Sequence, residues 1–210
     1  MASALMHMAV AKKVNEKLNM DYNYLILGSI APDLGKELNI PRAITHFQNE
    51  TENVPIVDKF INKYKNYENN PYEMGYLIHL ITDVLWFKEF IKNFNYENII
   101  TLKNGTKIEM TDTEFGKLIY NDYTNIGSQL LDYYDMDLSV FYNEYPLPDT
   151  NITEVPISSL RLLIDKMSLI CTNLGTEKEY IITIDKIVHF IDYAAIYVLD
   201  ELDRYRNKGE

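Results

Sequence analysis

Cysteine is almost absent from this chain. A single residue, Cys171, stands among 210, which excludes an intrachain disulfide and a cysteine-based zinc site. Cys171 lies in the apolar stretch Leu169-Ile170-Cys171, where a free thiol is expected to pack rather than react. Basic residues are also scarce: 20 Lys and Arg stand against 31 Asp and Glu, a net charge of −11. So acidic a chain lacks the basic stripe that nucleic acid requires and is not drawn to an anionic membrane surface. Acidity does suit the recruitment of cations. No run approaches the roughly 20 apolar residues of a membrane span. Lys12 and Lys13 follow the first apolar run instead of preceding it, so the signal-peptide pattern is missing and the expected location is cytoplasmic.

Hydrophobic residues make up 47% of the sequence, enough for a sizeable core, and the length suggests one domain over residues 1–210. Ser3 can cap a helix that runs to about Leu18, with Leu5, Met8, Val10, Ala11, Val14 and Leu18 on its apolar side. A second apolar run, Tyr24-Leu25-Ile26-Leu27, ends in Gly28-Ser29-Ile30-Ala31-Pro32-Asp33. Pro32 interrupts a helix there and leaves Asp33 at a turn. Pro41 marks another break. Helices are expected over 54–67 and 72–94, the latter opened by Pro71 in its first turn. Lys103-Asn104-Gly105 between β-favouring runs marks a hairpin insertion over 99–110. Thr111 or Thr113 can cap a helix over 111–134, residues 142–156 form a proline-containing loop, and helices over 157–174 and 177–207 flank a stop at Gly175. The expected fold is all-α: one compact bundle of six or seven helices with a small β-hairpin.

The chain has four histidines, and three of them fall in an informative pattern. His79 and Asp83 are four residues apart, which puts an imidazole and a carboxylate on one face of a helix. Their neighbours are apolar, and a buried carboxylate is costly without a partner. His7, Asp33 and His46 lie upstream. The set His7, Asp33, His46, His79, Asp83 reads as a metal site, since zinc-class ions take imidazole nitrogen and carboxylate oxygen. A mixed His/Asp set without cysteine favours catalytic or dinuclear sites. Asp122 is a candidate additional ligand, set against its reading as an ordinary exposed aspartate. Arg42, four residues before His46, is a candidate phosphate contact. Tyr76 is placed to line a pocket. His189 reads as a packing residue of an apolar helix. Asp132, Asp135 and Asp137 lack the glycine and terminal glutamate of a calcium loop.

Residues 3–8 with His7, Leu27-Gly28-Ser29-Ile30-Ala31-Pro32-Asp33, Thr45-His46-Phe47, and Gly75-Tyr76-Leu77-Ile78-His79-Leu80-Ile81-Thr82-Asp83 with Trp86 together resemble the zinc-dependent phospholipase C family. The resemblance covers residues 3–90. It implies a helical bundle with ions held between helices. It implies that Asp33, His46, His79 and Asp83 hold one zinc-like ion, and that His7 holds a neighbouring ion with Asp83 bridging. The activity implied is hydrolysis of phosphoric esters, such as a phosphodiester, by a metal-activated water attacking phosphorus, with Asp33 as candidate general base. The secreted phospholipases of the family have further His and Glu ligands downstream for a third ion. Only His189 follows Asp83 among the histidines here, so one or two ions are expected, with a small phosphorylated substrate.

Two other readings compete. An HD-type phosphohydrolase also uses helical His/Asp ligands, but it needs a His-Asp dipeptide, and no histidine here precedes an aspartate. A non-catalytic binding or scaffold protein would keep the ion for stability alone. A closed coordination shell would mark that case, and an open position would mark chemistry.

Overall fold

The computed structural model describes residues 1–49, 52–173, 175 and 179–208. Among these, nine α-helices and one three-stranded sheet are found, so the all-α expectation with a small β insertion holds. Helix α1 (Ala4–Leu18) starts where the Ser3 hydroxyl accepts the Met6 N–H and stops where Asn19 turns left-handed. Helix α2 (Tyr22–Ile30) passes into a 3-10 turn, Ala31–Lys36. Pro32 has no N–H to donate and sits at the start of this turn, which fixes Asp33 beside it. Pro41 then precedes the short α3 (Arg42–Thr45).

Helix α4 (Val57–Lys63) is shorter than the expected 54–67. Pro55 disfavours helical conformation at Val54, and the chain re-forms only a 3-10 turn at Tyr67–Asn69. Helix α5 (Pro71–Leu85) begins where the Asn70 side chain accepts the Tyr72 and Glu73 N–H groups. Its expected continuation to residue 94 gives way at Trp86 to a π-helical turn, Trp86–Phe90, and a 3-10 turn, Ile91–Asn93. The wider turn brings Trp86 and Phe90 into one aromatic cluster with Phe190.

The insertion has one strand more than expected. Strands β1 (Asn95–Tyr96), β2 (Ile99–Thr101) and β3 (Lys107–Glu109) pair antiparallel in that order, with Ile100 opposite both Asn95 and Ile108. Glu97 and Asn98 both have positive φ and make a two-residue turn without glycine. Gly105 takes the other turn at φ +85°.

Thr111 and Glu114 form a reciprocal capping box at the start of α6 (Asp112–Tyr133). A short α7 (Ser139–Tyr142) precedes the expected loop. That loop is tied to the bundle by two buried carboxylates: Glu73 accepts from Thr150 and Asn151, and Glu154 from Lys63 and Tyr64. Helices α8 (Leu160–Thr172) and α9 (Ile184–Lys208) complete the chain. The expected helix end at 174 and start at 177 lie outside the described residues. Helix α9 begins at Ile184, because the N–H groups of Tyr180, Ile181 and Ile182 are taken by the Asp122 carboxylate instead of a helix.

Helix α5 runs through the centre. Every residue from Tyr72 to Leu85 is buried, and it packs on α1, α2 and α9. Two glycines let α2 and α5 approach closely. A Cβ on Gly28 would lie 2.0 Å from the Tyr72 carbonyl oxygen, and one on Gly75 would lie 2.1 Å from that of Leu25. Only hydrogen fits at either position. The close approach sets Ser29 against His79, one turn beyond Gly75.

Candidate metal centre

Each candidate ligand comes from an element whose local sequence fixes it. His7 projects from α1, Asp33 from the 3-10 turn after α2, His46 from the end of α3, and His79 and Asp83 from one face of α5. All but Asp33 are buried to within 1% of full burial. Asp33 keeps 20% of its side chain exposed.

The structure brings these five together. Asp33 Oδ1 lies 3.5 Å from His46 Nε2 and 4.0 Å from His79 Nε2. Asp83 Oδ2 lies 3.8 Å from His46 Nε2 and 3.9 Å from His79 Nε2, and the two imidazole nitrogens are 3.2 Å apart. Four donors around a tetrahedral zinc-class ion stand about 3.3–3.4 Å from one another; Asp33, His46 and His79 approach that spacing, while Asp83 Oδ2 flanks the two imidazoles without joining Asp33 in one donor group. Asp83 Oδ1 faces the other way, 3.5 Å from His7 Nε2, and accepts the Ala2 N–H.

Donor atoms fall into two groups, His7–His79–Asp83 and Asp33–His46–His79. His79 cannot serve both. Its Nδ1 donates to the Ser29 carbonyl at 2.8 Å, which leaves one lone pair, on Nε2. Asp83 has two oxygens pointing to the two groups, so it alone can bridge. The His7 ring stacks on His79 at 3.7 Å between centroids, and neither nitrogen of His7 has a hydrogen-bond partner. Asp33 Oδ1 is likewise buried without one. Unpaired buried donors and acceptors cost on the order of 1–3 kcal/mol each. Of these atoms, Asp33 Oδ1 and the His7 Nε2 that faces Asp83 are lone-pair positions that a cation would satisfy.

The supporting contacts are of the kind that orient metal ligands. Ser29 fixes the His79 tautomer. Thr45 Oγ1 lies 2.8 Å from His46 Nδ1. When that nitrogen donates to the hydroxyl, Nε2 is free as a ligand. The Tyr76 hydroxyl donates to the Thr45 carbonyl, so Tyr76 braces the His46 segment from within the core instead of lining an open pocket.

Electrostatics agree with a ligand set. Burial holds the His46 and His79 pKa values below the ordinary histidine range, so both are neutral. Burial alone would raise Asp33 and Asp83, but while no ion is bound an N–H presented by His46 to Asp33 and by His7 to Asp83 leads the effects that outweigh it, and both carboxyls are held below their usual range. Neutral imidazole and ionised carboxylate are the metal-binding forms. Arg42 adds an ion pair: its Nη2 donates to Asp83 Oδ2 at 2.5 Å.

Other candidates fall elsewhere. Asp122 is fully buried, and its two oxygens accept three backbone N–H groups. It stands in neither donor group. His189 is exposed on α9, where the sequence suggested packing. Burial pushes the Cys171 thiol up to about 11, as a packed residue requires. The Ser29 carbonyl had no signature in the sequence, because a backbone acceptor is set by helix approach. Thr45, adjacent to His46, is the signal in the sequence for the contact that orients that ring.

Beside Asp33 and Ala2 opens a cleft of about 250 Å³. Its walls are mostly apolar, with Leu5, Ile30 and Leu34 facing Leu163, Met167 and Ile170 of α8. Lys36, Glu37 and Lys166 also line it, and Lys166 pairs with Glu37 across it. No helix among the described residues is long and apolar enough to cross a membrane.

No curated protein and no solved structure matches the chain significantly. The family model described as zinc dependent phospholipase C matches residues 2–151, a stretch that includes all five clustered residues. The chain belongs to the zinc-dependent phospholipase C family.

Proposed function

We propose that the protein hydrolyses phosphoric esters with one or two zinc-class ions. Asp33, His46, His79 and Asp83 would hold the first ion, and His7 with the second oxygen of Asp83 would hold a neighbour. When bound, such ions supply Lewis-acid polarisation of phosphoryl oxygens and an activated water. The chain's own residues do the rest. Ser29 and Thr45 keep the imidazoles facing inward. Asp33 both reaches His46 and lines the cleft, so it can take a proton from the attacking water while one of its oxygens stays unbound. Arg42 stands where its guanidinium can meet a phosphoryl oxygen.

The observation that carries this reading is the convergence of unpaired buried His7 on His79 and Asp83, and of unpaired Asp33 Oδ1 on His46 and His79. The adjoining apolar cleft favours an ester whose alcohol part is itself apolar. Metal analysis of purified protein, with turnover measured on an amphiphilic phosphodiester, a mononucleotide and an aryl phosphate, tests it. Absence of both bound metal and metal-stimulated turnover would sink the proposal.

The complete burial of His7, His79 and Asp83 favours a second reading, in which the ion only stabilises the fold. Asp83→Asn separates the two. Under the catalytic reading turnover is lost while the fold survives, and under the structural one the melting temperature collapses toward that of metal-free protein.

A further inference from the structure

Arg42 makes a contact that metal binding does not call for. It donates to Asp83 Oδ2, the same oxygen that faces His46 and His79. The guanidinium therefore sits on the atom that an ion between those imidazoles would take. Its side chain is 30% exposed and lies over the Phe87 ring, 5.2 Å from the centroid. Its Nε is buried with no hydrogen-bond partner. Nε and Nη2 form one side of the planar fork that grips carboxylate or phosphate with two parallel bonds. Here one of the two donors is engaged and the other is idle.

Charge completes the argument. The first-ion site gathers two carboxylates, Asp33 and Asp83, and Arg42 is paired with one of them. Buried carboxylates need a counter-charge; without metal, Arg42 is the side-chain cation paired with Asp83, and the buried N-terminal amine also lies in the field of that carboxylate. A divalent ion adds two positive charges and takes over Asp83, which leaves the guanidinium in surplus beside an opening site. That surplus suits an anionic oxygen.

We propose that Arg42 is a displaceable internal counter-cation: it holds Asp83 while no ion is bound, and on loading it yields Oδ2 and turns its fork to an anionic phosphoryl group. Metal loading and anion binding are thereby coupled through one side chain. The inference rests on the metal-binding reading above and extends it.

Calorimetry on the full chain tests it, with zinc alone and then inorganic phosphate as probes, for wild type, Arg42→Ala, Arg42→Gln and Arg42→Lys. Removing the internal competitor should tighten zinc binding about tenfold in Arg42→Ala and Arg42→Gln, and lower the melting temperature of their metal-free forms. Zinc-loaded wild type should bind phosphate at least tenfold more tightly than metal-free wild type and than zinc-loaded Arg42→Ala. Arg42→Lys should restore zinc behaviour but not phosphate affinity, because an ammonium lacks the fork. Zinc binding that weakens or stays unchanged in both neutral variants overturns the counter-cation role. Unchanged phosphate affinity in them overturns the coupling. No zinc binding by wild type overturns the metal reading itself, an outcome distinct from either. Arg42→Gln preserves most of the side-chain volume, so its result stands if Arg42→Ala fails to fold.

Discussion

Gly75 and Gly116 both lie inside helices, α5 and α6, and alanine at each removes the same backbone freedom. By helix propensity alone each change stabilises by roughly 0.5–1 kcal/mol. The surroundings reverse the sign at one of them. A Cβ at Gly75 would meet the Leu25 carbonyl oxygen at 2.1 Å and the Ser29 nitrogen at 2.8 Å, whereas nothing lies within 4 Å of one at Gly116. Ordinary contact begins at 3.4 Å, so α5 would have to withdraw from α2 by about 1.3 Å, the difference between 3.4 and 2.1. A gap of roughly 0.5–1 Å already forfeits a quarter to a half of the dispersion between facing atoms. Overpacking costs roughly 1–3 kcal/mol when side chains can yield. Here the obstacles are backbone, so about 3 kcal/mol is the expected cost, and about 2 kcal/mol remains after the propensity gain. At roughly 2–4 °C per kcal/mol for a chain of this size, Gly75→Ala should melt about 4–8 °C lower and Gly116→Ala about 1–4 °C higher. Buried Trp86, the only tryptophan, reports both transitions by fluorescence. Gly75→Ala should also weaken zinc binding, since α5 carries His79 away from the Ser29 carbonyl. A Gly75→Ala protein as stable as wild type, or a destabilised Gly116→Ala, would refute the reasoning.

Three further outcomes are expected. Thr45→Val removes the partner of His46 Nδ1 and should weaken zinc binding about 10–100-fold with little change in the fold; equal affinity in a zinc titration would count against the orienting role. Asp122→Ala strands three backbone N–H groups and should cost roughly 3–6 kcal/mol in urea unfolding, with zinc stoichiometry intact; loss of an ion instead would make Asp122 a ligand. The metal-free protein should weaken on acidification. Burial depresses the His46 and His79 pKa values, so below about 6.5 the unfolded chain takes up protons that the native state refuses, at up to about 1.4 kcal/mol per pH unit for each histidine. Asp33 and Asp83, also depressed, add a contribution present above about 4 and lost below it. Urea midpoints at pH 8, 6 and 5 check this, and a midpoint that rises toward pH 5 contradicts it.

The helices were legible where sequence chemistry is local. Ser3, Asn70 and Thr111 cap as their residue types demand, and Pro32 puts Asp33 in a turn. The clustered residues were legible because the i, i+4 spacing of His79 and Asp83 survives in α5 and because their companions resemble a known family. What escaped was decided at a distance. The π-helical turn at Trp86 answers to Phe190, a hundred residues away. The late start of α9 answers to Asp122, which looked like a surface residue. The third strand rests on Glu97 and Asn98 at positive φ, a turn without the glycine that usually marks it. The ion pair between Arg42 and Asp83 needs α3 laid against α5, which no spacing reveals.

The cleft beside Asp33 divides the labour of the molecule. All five clustered residues lie within the first 83 positions and on the elements that meet at α5. The far wall of the cleft is α8, which begins at Leu160, beyond the stretch shared with the family. Leu163, Met167 and Ile170 stand in neither donor group, so exchanging them reshapes the cleft without removing a candidate ligand. A library confined to those three positions would alter which molecules fit while leaving the inorganic chemistry alone, and α8 is therefore the natural place from which to retune this protein.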